Sequence, residues 1–162
     1  MNWFECNVSY ETLGGEDGLL KKENKLFLVD AIMFAEAENC VIDEVSPFNS
    51  GELVIGKIRK VKFAEIIDNE IGDRWFKAKI SFISVEFDEK KQQEIEKKVS
   101  AFYLVKAENL QQSIENLIEF HKTTQSDYTI VSVAETLIED VLHYQPTNVV
   151  EEVEEKVEDI EE

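Results

Sequence analysis

The chain is poor in the residues that usually carry chemistry or covalent staples. It has two cysteines, two histidines, two prolines and two tryptophans among 162 residues. Two cysteines cannot build a disulfide framework. Cys6 and Cys40 lie among apolar neighbours, with no second Cys or His at ligand spacing. They read as free thiols of a reducing compartment, with no metal between them. Gly-rich phosphate loops, HExxH, paired DxD aspartates and a nucleophile elbow are all missing. Gly14-Gly15 falls in a hairpin tip rather than between strand and helix, so it makes no phosphate cradle. No apolar run approaches the ~18 residues of a membrane span. The stretch Met1-Asn2-Trp3-Phe4-Glu5 has neither the basic nor the apolar part of a leader. These absences point to a cytoplasmic protein that is not an enzyme and needs no cofactor and no membrane. A hydrolase or nuclease is the least supported class.

Positive charge is also scarce, at 17 bases against 35 acids. Of the net charge of −18, Val150 to Glu162 supplies −7 through eight acids and one lysine, and the rest of the chain −11. Such a body repels phosphate backbones on average, which argues against general binding to duplex DNA.

What the chain does contain is patterning. Phe4, Cys6, Val8 and Tyr10 alternate with polar residues, as on a half-buried strand. A Gly-rich tip follows, and Leu26 to Val29 returns as a second strand. Asp30 is placed to cap a helix. Ala31, Phe34, Val41 and Val45 share a helical face. Pro47, Asn49 and Gly51 end it. A β-branched stretch from Leu53 to Ile67 reads as one long strand, bulged near its middle. The pattern then restarts. Trp75-Phe76-Lys77-Ala78-Lys79-Ile80-Ser81-Phe82 echoes Trp3-Phe4-Glu5-Cys6-Asn7-Val8-Ser9-Tyr10. A charged tip from Asp88 to Lys98 leads to a strand from Val99 to Val105. Leu104-Val105-Lys106-Ala107 echoes Leu28-Val29-Asp30-Ala31. Leu110, Ile114, Leu117 and His121 then fit a helix, and Tyr128 to Leu142 a long strand. His121 reads as a core-edge residue rather than a base. Asp127-Tyr128-Thr129-Ile130 in turn echoes Glu52-Leu53-Val54-Ile55, and three echoes in order argue for a tandem ββαβ duplication, residues 2–68 and 74–144. The expected fold is α+β. It is a single two-layer domain over 1–145, with both helices on one face of a mostly antiparallel sheet. Its other sheet face would be open to a partner.

Two places could bind. The first is basic and aromatic. Lys57, Arg59, Lys60 and Lys62 cluster on one strand, and Lys77 and Lys79 share a face with Trp75 on the next. Trp3 is the matching tryptophan of the first half. On one sheet face, Trp3, Trp75, Lys57, Arg59, Lys77 and Lys79 would stack bases and track single-stranded nucleic acid. The plainer account makes the tryptophans core-edge residues and the lysines ordinary outward ones, and the sequence favours it. Ser132 and Ala134 replace Lys57 and Arg59 in the second half. The other place is the acidic tail, 146–162. Val150, Val153, Val157 and Ile160 recur every three or four residues among glutamates, a short amphipathic stripe that could recruit a partner or compete for a basic groove. A flexible, solubilising end explains the same residues.

Trp3-Phe4-Glu5-Cys6, Leu28-Val29-Asp30-Ala31 and Phe34-Ala35-Glu36-Ala37-Glu38 together resemble a family of small proteins of unknown function from Bacteroidetes bacteria and their phages. Ser100 to Ala107 and Asp127-Tyr128 through Asp140-Val141 resemble its second half. The likeness covers about residues 2 to 144, and the Glu-rich tail departs from it. It implies no activity and no site residue. Its phage association raises the expectation of DNA metabolism or host interaction. The expected function is a non-catalytic interaction module with an unidentified protein partner. The alternative is a single-stranded nucleic-acid-binding protein regulated by its acidic tail. The sequence leaves oligomeric state open.

Overall fold

Alternating residues build the first sheet around a hairpin. Strands β1 (Asn2–Leu13) and β2 (Leu20–Ala31) pair antiparallel from Asn2–Ala31 to Leu13–Leu20. The computed structural model that provides these positions describes residues 2–145. β2 is longer at both ends than its apolar centre implies. Asp30 lies within it, opposite Trp3, and caps no helix. The first helix, α1 (Phe34–Val45), begins after Met33 with no side-chain cap. Glu36 compensates, its Oε2 accepting from the Ile32 N–H at 2.9 Å. Ala37, Val41 and Val45 are buried against Phe4, Cys6, Val8, Phe27 and Val29. Phe34 stays half exposed at 53%.

The stretch that reads as one long strand is two. β3 (Val54–Val61) runs antiparallel to β1. The chain then crosses at residues 62–64, and β4 (Glu65–Ile67) joins a different sheet. That sheet is founded on β5 (Arg74–Asp88) and β6 (Gln93–Ala107), paired antiparallel throughout. Helix α2 (Leu110–Phe120) follows, and the Asn109 side chain accepts from the Gln112 N–H at 2.8 Å. β7 (Asp127–Glu135) returns antiparallel to β5, and β8 (Ile138–His143) crosses back to lie parallel to β2.

The fold is therefore α+β, with eight strands in two mostly antiparallel sheets and two helices. The sheet orders are β3-β1-β2-β8 and β4-β6-β5-β7. Each sheet holds three strands from one half of the chain and one from the other. The single sheet with both helices on one face is corrected on this point. α1 packs on β1 and β2, and α2 on β6 and β7. The crossings at 62–64 and 136–137 divide the strands between two sheets and leave each sheet its own helix.

Period-two geometry decides how the sheets meet. On β2, Phe27 and Val29 face α1, so Leu28 points away from it. On β6, Tyr103 and Val105 join the core with Leu117 of α2, so Leu104 points away. Leu28, Leu104, Trp75 and Ile138 form a third buried cluster, with Trp3, Phe63, Ile66 and Val141 packed around it. The sheets thus meet back to back, in the layer order α1, first sheet, second sheet, α2. Burying each leucine fully contributes about 1.5–3 kcal/mol.

Gly72 closes the turn into β5. Its φ is +133°, and a Cβ there would stand 2.7 Å from the Ala107 carbonyl carbon. Only glycine fits that approach.

Candidate interaction surface

The helix-free faces carry Trp3, Arg59, Trp75, Lys77 and Lys79, whereas Lys60 stands opposite Phe4 on the α1 side, Lys57 is on the bulge and Lys62 in the crossing. The two faces do not bring them together. β3 borders β1 in the first sheet, whereas β5 lies between β6 and β7 in the second. Lys57 and Arg59 are therefore on a different sheet from Lys77 and Lys79. The proposed single face with two tryptophans and four cations does not form.

The tryptophans are packing residues. Trp75 is 2% exposed in the core between the sheets. Lys106, its neighbour across the ladder, places Nζ 5.6 Å from the ring centroid. Trp3 packs at the border of the same core, edge-on to His143 with centroids 5.8 Å apart. A base cannot stack on a ring already covered on this scale. Arg59 is occupied as well, its Nη2 lying 2.5 Å from Glu5 Oε2. Lys57 is exposed on the β3 bulge opposite Asn7, where the register slips.

Lys77 and Lys79 do share the helix-free face of β5, and their partner is an aromatic that the sequence reading passed over. Lys77 Nζ lies 4.6 Å from the Phe102 ring centroid and 5.7 Å from that of Phe63. Phe102 remains 38% exposed. Strand alternation continues this face outward along β5 through Ile83, Val85 and Phe87, with Lys98, Glu96 and Glu94 opposite on β6. Val85 and Phe87 are about as open as ordinary surface residues, at 59% and 63%. This is an arm. β7 stops pairing with β5 at Ile83, and β4 reaches β6 only at Tyr103–Val105. Beyond them the β5–β6 hairpin projects with no third strand. The charged residues from Asp88 to Lys98 suggest a loop tip, but most of them are ladder residues. The signal for strand was there in Ile83, Val85 and Phe87. It was masked because neither face of the arm is buried, so β6 carries no alternation.

His121, the two cysteines and Tyr103 sit in structural surroundings. His121 is 3% exposed among Phe82, Tyr103, Phe120 and Tyr128. Its Nδ1 lies 2.9 Å from the Leu117 carbonyl, which only accepts, so the proton sits on Nδ1. Nε2 is buried with no partner. An open depression of about 630 Å³ lies beside it, lined by Glu119, Lys122 and Asp127 among others. Nothing there pairs a nucleophile with a base. Burial pushes the Cys6 thiol up to about 12, with smaller contributions from Cys40 and Glu38. Burial also raises Cys40, ahead of Asp43 and Glu44. Both thiols are free. Burial, then Glu65, raises Tyr103. Among the described residues no cluster of three or more His, Cys, Asp or Glu could hold a metal ion. Among them, too, no helix is long and apolar enough to cross a membrane. Val150, Val153, Val157 and Ile160 of the tail lie outside the described residues.

No curated protein matches this chain, and no solved structure matches it. One family model does, over residues 2–144, which is the whole of both sheets and both helices. The chain therefore belongs to the family defined by a domain of unknown function, DUF4494.

Proposed function

We propose that this chain is a non-catalytic binding protein that engages a protein partner through the helix-free face of β5 and β6. The observation that carries this reading is the exposure of Phe102, Val85 and Phe87 on one face of the ladder that also carries Lys77, Lys79 and Lys98. The face is bordered by Lys77, Lys79 and Lys98 toward its base and by Glu96 and Glu94 toward its tip, which suits an apolar segment whose acidic residues meet those lysines. The resemblance to bacterial and phage proteins fits a chain that acts by occupying another protein. Peptides selected from a random displayed library on the immobilised chain test the reading. They are expected to be rich in acidic and apolar residues and to lose binding to the double variant Val85→Asp/Phe87→Asp. Selected peptides that bind this variant as tightly as the parent overturn it.

The second reading is binding of single-stranded nucleic acid, now resting on Phe102, Lys77 and Lys79 rather than on the tryptophans. It requires a labelled oligonucleotide to bind at low salt, and to bind more tightly once residues 146–162 are deleted. No change in anisotropy with either form removes it.

The same reading takes the two halves as copies of one ββαβ unit in a single domain. Several correspondences support it. Leu28 neighbours Val141 and Leu104 neighbours Ile66, both in parallel register. The β1–β3 and β5–β7 ladders slip at matching places, between Cys6 and Val8 and between Lys79 and Ile80. Trp3 and Trp75 meet in one cluster.

A further inference from the structure

The arm has a property that its face does not explain. The outer edge of β6 is unpaired from Gln93 to Ala101 among the described residues, and every residue from Gln93 to Ser100 is exposed. A two-stranded ribbon is marginal by itself. Long edges of this kind are usually shortened, bulged or broken by proline. This one runs in unbroken register against β5, and the prolines are elsewhere, at Pro47 and Pro146.

The direction of its backbone groups follows from one hydrogen bond. Ala64 N–H donates to the Phe102 carbonyl at 2.8 Å, so the backbone of Phe102 points to the outer edge. Alternate residues of a regular strand point the same way. Glu94, Glu96, Lys98 and Ser100 therefore turn their N–H and C=O groups outward. A second strand docking antiparallel about a two-fold axis must set these even-numbered residues opposite one another. Three registers satisfy this near the middle of the edge. Centring on Glu96 pairs Glu94 with Lys98 twice, but opposes the two Glu96 carboxylates and sets Ile95 against Lys97, so no apolar pair forms. Centring on Lys98 opposes two ammonium groups, sets Lys97 against Val99, and needs the Phe102 carbonyl that Ala64 already holds. Centring on Lys97 pairs Glu96 with Lys98 twice and Ile95 with Val99 twice. Its one like-charged pair is Lys97 with itself. Each Lys97 Nζ already lies 2.6 Å from Glu86 Oε2 of its own hairpin, which offsets that charge.

We propose that the β6 edge from Glu94 to Ser100 is a self-complementary docking edge, and that its occupant is the same edge of a second copy of this chain, antiparallel about Lys97. Opposite charges or apolar side chains then face each other at four of the seven cross-strand positions; Glu94 meets Ser100 at each end, and Lys97 meets itself at the centre. The outward backbone groups gain the ladder partners they lack. Ile95 and Val99, 36% and 61% exposed, cover each other at the closer, non-hydrogen-bonded spacing. The proposal uses the edge of the arm and not its face, so it stands whatever the face binds.

The test is sedimentation equilibrium of the full chain at physiological ionic strength, where a Debye length of about 8 Å screens the net charge. The wild type is expected to associate to a dimer. Glu96→Lys and Lys98→Glu each convert two favourable pairs into two like-charged ones, and each is expected to weaken dimerisation about tenfold or more. The double variant Glu96→Lys/Lys98→Glu restores opposite charges and is expected to restore dimerisation. Far-UV circular dichroism checks that the exposed arm tolerates the changes. A wild type that stays monomeric at high micromolar concentration overturns the proposal. So does a dimer indifferent to the single swaps, or one that the double swap does not rescue.

Discussion

Ile66 stands directly beside Leu104 in parallel register, in a sheet whose other three strands come from the second half of the chain. The contact is possible because the chain leaves the first sheet at residues 62–64. It ties the two halves together through shared sheets. Neither sheet is complete without a strand from the other half, and the core between the sheets draws on both.

That arrangement sets an expectation for stability. Leu104→Ala and Leu28→Ala each empty a fully buried position between the sheets. Each is expected to cost about 2–5 kcal/mol. Urea unfolding followed by tryptophan fluorescence and by far-UV circular dichroism should still give one coincident transition. Two separated transitions would show that the halves unfold independently.

Gly72 offers a backbone test. A methyl group at its φ of +133° runs into the Ala107 main chain, which cannot move without disturbing the Arg74–Ala107 end of the β5–β6 ladder. Gly72→Ala is expected to lower stability by about 1–3 kcal/mol. An unchanged urea midpoint would mean that the turn relaxes freely.

Cys6 gives a pH dependence with a definite sign. Its thiol ionises at about 12 in the folded chain against an ordinary 9.0. Below about pH 9 both folded and unfolded chains hold the proton, and the group contributes nothing to the slope. Between about pH 9 and 12 the unfolded chain releases a proton that the folded chain keeps, so stability falls as pH rises. The raised thiol of Cys40 acts in the same direction. Unfolding free energy measured by urea across about pH 8.5 to 10.5 should therefore decline more steeply for the wild type than for Cys6→Ala. Equal slopes would contradict the burial of the thiol.

Much of this was legible from local pattern. The strand of Phe4, Cys6, Val8 and Tyr10, its echo at Trp75 to Phe82, and the helix around Leu117 all lie where the periodicity puts them. Each has one buried face, and burial is what writes a period into a sequence. Asp30 was misleading because a short acidic residue before an apolar run suits a strand end as well as a helix cap. Here it lies opposite Trp3, with Oδ2 3.4 Å from His143 Nδ1. The arm was illegible for the opposite reason. With both faces in water, Glu94 to Lys98 carry no alternation to read.

The sequence by itself determined most of the local elements and which residues of each strand share a face, because those follow from side-chain period and turn chemistry. It could not determine which sheet the ends of the long strands join. Residues 62–64 and 136–137 are ordinary in composition, and their crossing is decided by what waits on the far side: a free edge at β6 for Ile66 and a free edge at β2 for Val141. Tertiary structure therefore decided that Trp75 lies in a core and Trp3 at its border. It also left Phe102, Val85 and Phe87 exposed on the β5–β6 hairpin. An edge or a face is open only with respect to the strands that fail to cover it, and that relation exists only once the whole chain has folded.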